Sequence, residues 1–204
     1  VTGANAINVF PGAAGAITKE DIDKAEEAIK NSSIFLTQLE APKDVVTYAL
    51  KKANNLNVKT ILNPAPAAEI DSSLFPLIDY FTPNETEASF YVNHDVITYE
   101  DAEKAASQLL DKGIKNVVIT LGEKGAYFAN SEEKFSLPIA NLSNPVVDTT
   151  GAGDAFNAGL AAALTEGRNI KDSLIFASAT AGLSTTKIGT ANSMPSREEI
   201  DRIL

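Results

Sequence analysis

The sequence predicts an α/β fold, a mostly parallel sheet flanked by helices in a Rossmann-like, three-layer arrangement. Three observations carry that prediction. Short apolar runs alternate with amphipathic stretches of helical period along most of the chain, and such alternation implies parallel strands joined by right-handed crossovers. The strand-like runs are almost continuously apolar, as strands covered on both faces are. Polar residues recur just beyond the strand ends, at Glu40, Asn63, Asn84 and Thr120. Open α/β sheets bind their ligands there.

Each element follows in order. Ile34 to Leu39 reads as a strand, closed by Glu40-Ala41-Pro42. Lys43 to Asn54 reads as a helix, because Val45, Val46, Ala49, Leu50 and Ala53 share one face. Val58 to Leu62 is a strand closed by Asn63-Pro64. Ile78 to Phe81 is a short strand closed by Thr82-Pro83-Asn84, and Asn84 and Glu87 stand near the start of a short helix. Glu100 to Lys112 is helical and stops at Gly113, a residue that terminates helices at low steric cost. Asn116 to Leu121 is an apolar, β-branched strand. Ala126 to Asn130 and Lys134 to Leu137 form a hairpin, and Asp154 to Thr165, Lys171 to Thr186 and Ser196 to Leu204 are helices. No repeat, low-complexity segment or linker interrupts the series, so residues 1–204 are expected to form a single α/β domain.

Composition narrows the function. The chain of 204 residues is 44% hydrophobic and 22% charged, with a formal net charge of -10. It is long enough for a substantial core. The negative charge, with no basic run, argues against nucleic acid or an anionic membrane as partner. Any phosphate site must therefore be local, built from glycine amides, a helix end, a metal ion and a few lysines. Cysteine is absent, which excludes disulfide and thiol chemistry and suits a cytoplasmic enzyme. No apolar run approaches the roughly 20 residues of a membrane-spanning helix, and no signal peptide opens the chain. The start at Val1 suggests a fragment or a processed chain.

The most informative stretch is Asp148-Thr149-Thr150-Gly151-Ala152-Gly153-Asp154, followed by the helical run Ala155 to Leu164. Glycine lets backbone approach a ligand closely. The first N–H groups of a helix lack intrahelical partners. Together they make an anion hole for a phosphoryl group. Asp154 stands where a base could meet an attacking alcohol. The plainer alternative is a glycine-rich helix start with Asp154 as its capping residue.

Asp148 to Leu160 closely resembles the C-terminal signature of the ribokinase-like family, the phosphofructokinase B family of sugar kinases. Asn63-Pro64-Ala65-Pro66-Ala67, Thr82-Pro83-Asn84-Glu85-Thr86-Glu87-Ala88 and Thr120-Leu121-Gly122-Glu123-Lys124-Gly125 resemble further family segments in the right order, and Gln38-Leu39-Glu40 resembles one just upstream. The resemblance implies a ribokinase-like fold and ATP-dependent phosphorylation of a sugar hydroxyl, D-ribose to ribose 5-phosphate. It implies Asp154 as catalytic base, also touching the sugar, with Gly151, Ala152 and Gly153 as anion hole and Glu40 as a sugar contact. Asn84, Thr120, Leu121, Gly122, Glu123, Lys124, Gly125 and Gly153 would meet ATP. Ser178 lies where some members carry a histidine against the nucleotide; contact with adenine and helix packing both stay open for it. Glu87, paired with Asn84, would hold Mg²⁺ through water, although acidic residues in a first helical turn have the same appearance. Asp148 and Thr150, with Ser184, Lys187, Gly189 and Ser193, would hold a monovalent cation, K⁺, mostly through backbone carbonyls. Thr190 departs from the family pattern in that second half.

The family's N-terminal portion, with its lid strands and sugar-binding Gly-Gly segment, has no counterpart here. The chain is expected to begin part-way through the fold, near Gly3-Ala4-Asn5-Ala6-Ile7, and to turn over little sugar by itself. Small-molecule sugar and ATP are the expected partners, with a homodimer open for the intact protein. Two alternatives remain: a family kinase for another sugar or a nucleoside, and a truncated, non-catalytic nucleotide-binding module. His94, the one histidine, reads as a solvated loop residue, and Asn63 as a turn residue without assigned chemistry.

Overall fold

The structure is a computed structural model and describes residues 10–204; the resemblance drawn at Gly3 to Ile7 lies outside the described residues. Its residues group into two compact units. One comprises Phe10–Gly122 and Ala126–Ser136 and carries the sheet; the other contains Glu123–Gly125 and Leu137–Leu204.

Among the described residues the sheet has six strands in sequential order: β1 (Ile34–Thr37), β2 (Lys59–Leu62), β3 (Tyr80–Phe81), β4 (Asn116–Thr120), β5 (Ala126–Asn130) and β6 (Lys134–Leu137). The first four are mutually parallel and β5 returns antiparallel to β4. The α/β class and the mostly parallel sheet are thus as expected. Two strands end earlier than their apolar runs suggest. Leu39 and Leu121 are apolar and buried, but they lie beyond the ladder, in the turns that leave it. β3 keeps two residues, because Ser72–Leu77 winds into a 3₁₀ helix that contains Pro76.

Helix α1 (Lys19–Lys24) starts with a reciprocal cap between Thr18 and Asp21 and leads into α2 (Glu26–Lys30). Neither helix is in the sequence reading, although Thr18-x-x-Asp21 is a helix-start pattern. Helix α3 (Lys43–Asn55) buries Val45, Val46, Ala49, Leu50 and Ala53, the face read from the sequence. Helix α4 (Glu85–Val92) is capped by Asn84 and Glu87 and ends at Asn93, whose φ is 61°. Helix α5 (Tyr99–Asp111) buries Ala102, Ala105, Ala106 and Leu109. One core joins α3, α4 and α5 to the sheet through Leu50, Leu62, Phe81, Val117, Ile119 and Tyr127. At the strand starts, Asp79 accepts from Thr60 N–H (2.8 Å) and pairs with Lys115 (2.7 Å). The opposite strand ends stay clear of that network.

In the other unit, α6 (Ala152–Thr165) and α7 (Ile170–Ser184) pack together, and α8 (Arg197–Asp201) leans on α7. Gly159 permits the close α6–α7 approach: a Cβ there would lie 2.7 Å from Thr180 Oγ1 and 3.0 Å from Ala177 Cα. Helix α8 is shorter than Ser196 to Leu204, and Ser196 is its cap rather than its first turn.

Candidate functional site

The strand-end residues of the sheet unit form a connected polar cluster. The parallel bridge Asn84–Thr120 continues the ladder past β3 and β4. Asn84 caps α4: its Oδ1 accepts from Glu87 N–H (2.8 Å), and its own N–H and Nδ2 donate to the Glu87 carboxylate (2.9 and 3.0 Å). Glu87 is 7% exposed, unusual for a glutamate. Burial pushes its carboxyl above the ordinary range; the Asn84 backbone N–H pulls it back, the Glu85 charge adds to the rise, and the Asn63 side chain opposes it. Asn63 Nδ2 donates to Thr82 O (2.8 Å), and Asn63 Oδ1 accepts from Gln38 Nε2 (3.2 Å). Gln38, Asn63 and Thr82 are members that sequence reasoning did not assign. Glu40 follows at the surface, exposed.

Among the described residues no group of three or more His, Cys, Asp or Glu could hold a metal ion. One buried carboxylate with one amide does not make a protein cage. It does fit Mg²⁺, which keeps most of its waters and takes its other ligands from phosphates.

Residues 120–125 divide by role. Thr120 N–H donates to Pro83 O (3.0 Å). Leu121 is 1% exposed, its side chain in the core, so only its backbone remains for a ligand. Gly122–Lys124 makes one 3₁₀ turn, with Gly122 at φ 53° and Glu123 and Lys124 exposed. Gly125 has its own structural reason. At φ 102°, a Cβ there would meet Leu137 O at 2.0 Å.

The second group surrounds the start of α6. Gly151 is the helix cap at φ 79°, so the cap position itself offers no side chain. The helix therefore begins two residues earlier than read, and Asp154 sits in its first turn, exposed, rather than at the cap. That removes the alternative of Asp154 as capping residue. Ala152 N–H donates to Thr149 O (3.2 Å). The N–H groups of Gly151 and Gly153 make no backbone hydrogen bond among the described residues, so they are the better anion donors. Asn157, buried, donates to Gly153 O (2.9 Å) and steadies the same turn.

Asp148 clasps two loops, accepting from Thr150 N–H (2.9 Å) and Gly189 N–H (3.0 Å). Hydrogen bonds from the Thr150 side chain, then from the Gly189 and Thr150 backbones, hold its carboxyl below the usual range. Val147 and Asp148 N–H both donate to Thr185 O (2.8 and 3.1 Å). Ser184 and Ser193 are buried and donate to Ala181 O (2.7 Å) and Thr190 O (2.6 Å). Lys187 pairs with Glu199 (2.9 Å). The structure thus brings Asp148, Thr150 and Gly189 together, with the side chains already engaged. Backbone carbonyls are what such loops have left to offer a cation. Ser178 is half-buried on α7. His94 departs from the solvated reading: its Nε2 is enclosed without a hydrogen-bond partner among the described residues, while Nδ1 lies 3.3 Å from Val92 O.

Comparison with known proteins agrees with this arrangement. The family model described as pfkB family carbohydrate kinase matches residues 1–197. Ribokinase from Haemophilus influenzae is 39% identical over 195 residues, 96% of this chain and 63% of its own length. Deoxyribokinase from Salmonella typhimurium is 35% identical over 202 residues, 98% of this chain and 65% of its own length. The chain therefore spans just under two thirds of the curated relatives it matches here. The structure of Arabidopsis thaliana ribokinase complexed with ribose and ATP superposes with a TM-score of 0.84 at 33% identity, over 89% of this chain and 58% of that one.

Proposed function

The chain belongs to the pfkB family of carbohydrate kinases, and from that premise we propose that the protein transfers the terminal phosphoryl group of ATP to a hydroxyl of D-ribose, giving ribose 5-phosphate. The observation that carries this reading is the start of α6. Two glycine amides without backbone partners among the described residues precede an exposed carboxylate in the first helical turn. Phosphoryl transfer asks mainly for positioning and charge stabilisation. Gly151 and Gly153, with Ala152 between them, supply N–H groups for the oxygens of the transferring group. Asp154 accepts the proton of the attacking sugar hydroxyl. Glu40 orients the sugar. Thr120 and the Gly122–Gly125 backbone, with Lys124, take the nucleotide, and Ser178 is the proposed contact to its base.

Mg²⁺, when bound, neutralises phosphate charge; Glu87 and Asn84 would hold it through its water shell. K⁺ is the proposed activator, held by loop carbonyls that the Asp148 clasp sets in place, with Thr150, Ser184, Lys187, Gly189 and Ser193 around it. The cytoplasm is the proposed location. Deoxyribose is the second acceptor to test, because a deoxyribokinase stands among the relatives.

A coupled ADP-release assay on the full-length protein tests the reading. Ribose-dependent turnover within the usual range of about 1–1000 per second is expected. Release that no sugar or nucleoside stimulates overturns it and leaves a nucleotide-binding module. At matched ionic strength K⁺ should outpace Na⁺, and equal rates would remove the cation site.

A further inference from the structure

We propose that Asn157 is a positioning residue, the amide that holds the first turn of α6 in the form that aims Asp154 and the glycine amides. The idea rests on the kinase reading only for what those groups do toward the phosphoryl group and the sugar; the hold on the turn stands on geometry.

Two glycines weaken this turn. Gly151 is the cap at φ 79°, a conformation that favours glycine. Gly153 is different. It lies inside the helix without a positive φ, and beyond that helix a Cβ on it would meet nothing within 4 Å among the described residues. Alanine would fit there and would favour the helix more. Nothing in the described fold therefore asks for glycine at 153, and its use leaves bare, open backbone beside Asp154.

The brace falls on that same residue. Asn157 Nδ2 donates to Gly153 O (2.9 Å). Asn157 is 4% exposed. It is the one polar side chain that α6 buries, the others being Ala155, Phe156, Gly159, Leu160 and Ala163. Asparagine is a poor helix former, and burying its amide is costly unless it is bonded. Packing alone would favour an apolar side chain here. Gly153 O belongs to the peptide whose N–H is that of Asp154. A bond to that oxygen fixes the plane that carries the Asp154 Cα, and with it the point from which the carboxylate swings. A buried hydroxyl makes a comparable bond in α7, where Thr180 Oγ1 donates to Phe176 O (2.8 Å). There the accepting carbonyl lies mid-helix, away from the amides of a helix start.

The test uses the full-length protein with Asn157→Thr and Asn157→Val. The two side chains have one shape, and only threonine can donate to Gly153 O, as Thr180 does to Phe176 O. Initial rates give kcat and the KM for ATP; hydrogen exchange follows the amides of Ala155 and Phe156 without turnover. Asn157→Val should lose about 10–100-fold in kcat, the scale on which a displaced reacting group costs rate, with the ATP KM held. Its first-turn amides should exchange about fivefold faster, the shift that one ordinary hydrogen bond carries. Asn157→Thr should recover most of both. Equal kcat in the two variants would overturn the proposal, as would a slow valine variant whose turn exchanges as in wild type. A valine variant that fails to fold where the threonine variant folds would reduce Asn157 to a structural residue. A wild-type protein that phosphorylates no sugar refutes the kinase reading, while the exchange arm still decides whether Asn157 holds the turn.

Discussion

Asp154 can be separated from its helix by one atom. Asparagine at this position would keep the size and hydrogen bonding of the native side chain, so Asp154→Asn removes proton acceptance and little else. General-base catalysis is typically worth about 10²–10⁴-fold, and kcat of the full-length protein should fall on that scale with ATP affinity retained. Stability should drop by no more than about 0.3–1 kcal/mol, the worth of a carboxylate in a first helical turn. Near-native turnover in the variant would remove Asp154 as the base. Gly151 tests the neighbouring backbone. At φ 79°, with a Cβ placed 3.4 Å from Thr190 Cγ2, Gly151→Ala should cost about 1–2 kcal/mol in denaturant unfolding. Asp148 gives a pH signature. Its folded carboxyl lies below the ordinary 3.8, so its clasp is fully formed above that value and is lost as pH falls through the lower, folded one. The Gly189 amide resonance should follow this titration with a midpoint under 3.8; a midpoint at or above it would show that the clasp is absent. The helix start was legible because all its chemistry lies within seven consecutive residues. The Gln38–Asn63–Thr82 cluster was not, because its members meet only when strands far apart in sequence lie side by side.

Among the elements, those with a strong period were read well. Helix α3 declares its buried face in five residues, and β5 and β6 match their expected limits. Helices α1 and α2 went unread for a physical reason: of their residues only Ile29 is buried, so no apolar stripe marks them. The short β3 was overextended because buried Ile78 looks like strand while its backbone closes a 3₁₀ turn onto Phe75 O. The α6–α7 contact was also invisible. Gly159 looks like a weak point in a helix, where alanine would gain up to about 1 kcal/mol of propensity. Its position against Thr180 and Ala177 reverses that expectation. Gly159→Ala should destabilise by about 1–3 kcal/mol, the usual cost of overpacking. A urea midpoint at or above wild type would show that the helices part without strain.

For the molecule as a whole, the net charge of -10 told the sequence reading where not to look. A chain that repels polyanions at long range would bind a nucleotide only through local donors, and in the function proposed above the glycine amides of the α6 start supply them. The ladder of the sheet carries a further consequence, in time rather than in space. Thr120 pairs with Ala126 across one short turn, whereas Ile34 must find Lys59, and Tyr80 must find Asn116. Closing a longer loop costs more chain entropy before any contact offsets it, and non-local pairing slows folding. Refolding should therefore begin at the β4–β5 hairpin and spread toward β1. In pulsed hydrogen exchange, amides of Val118 and Phe128 should gain protection before those of Phe35 and Thr60. The strand ends that gather Gln38, Asn63 and Thr82 would then be among the last parts of this sheet to take shape, so a chain arrested late in folding would hold its hairpin and still lack the cluster.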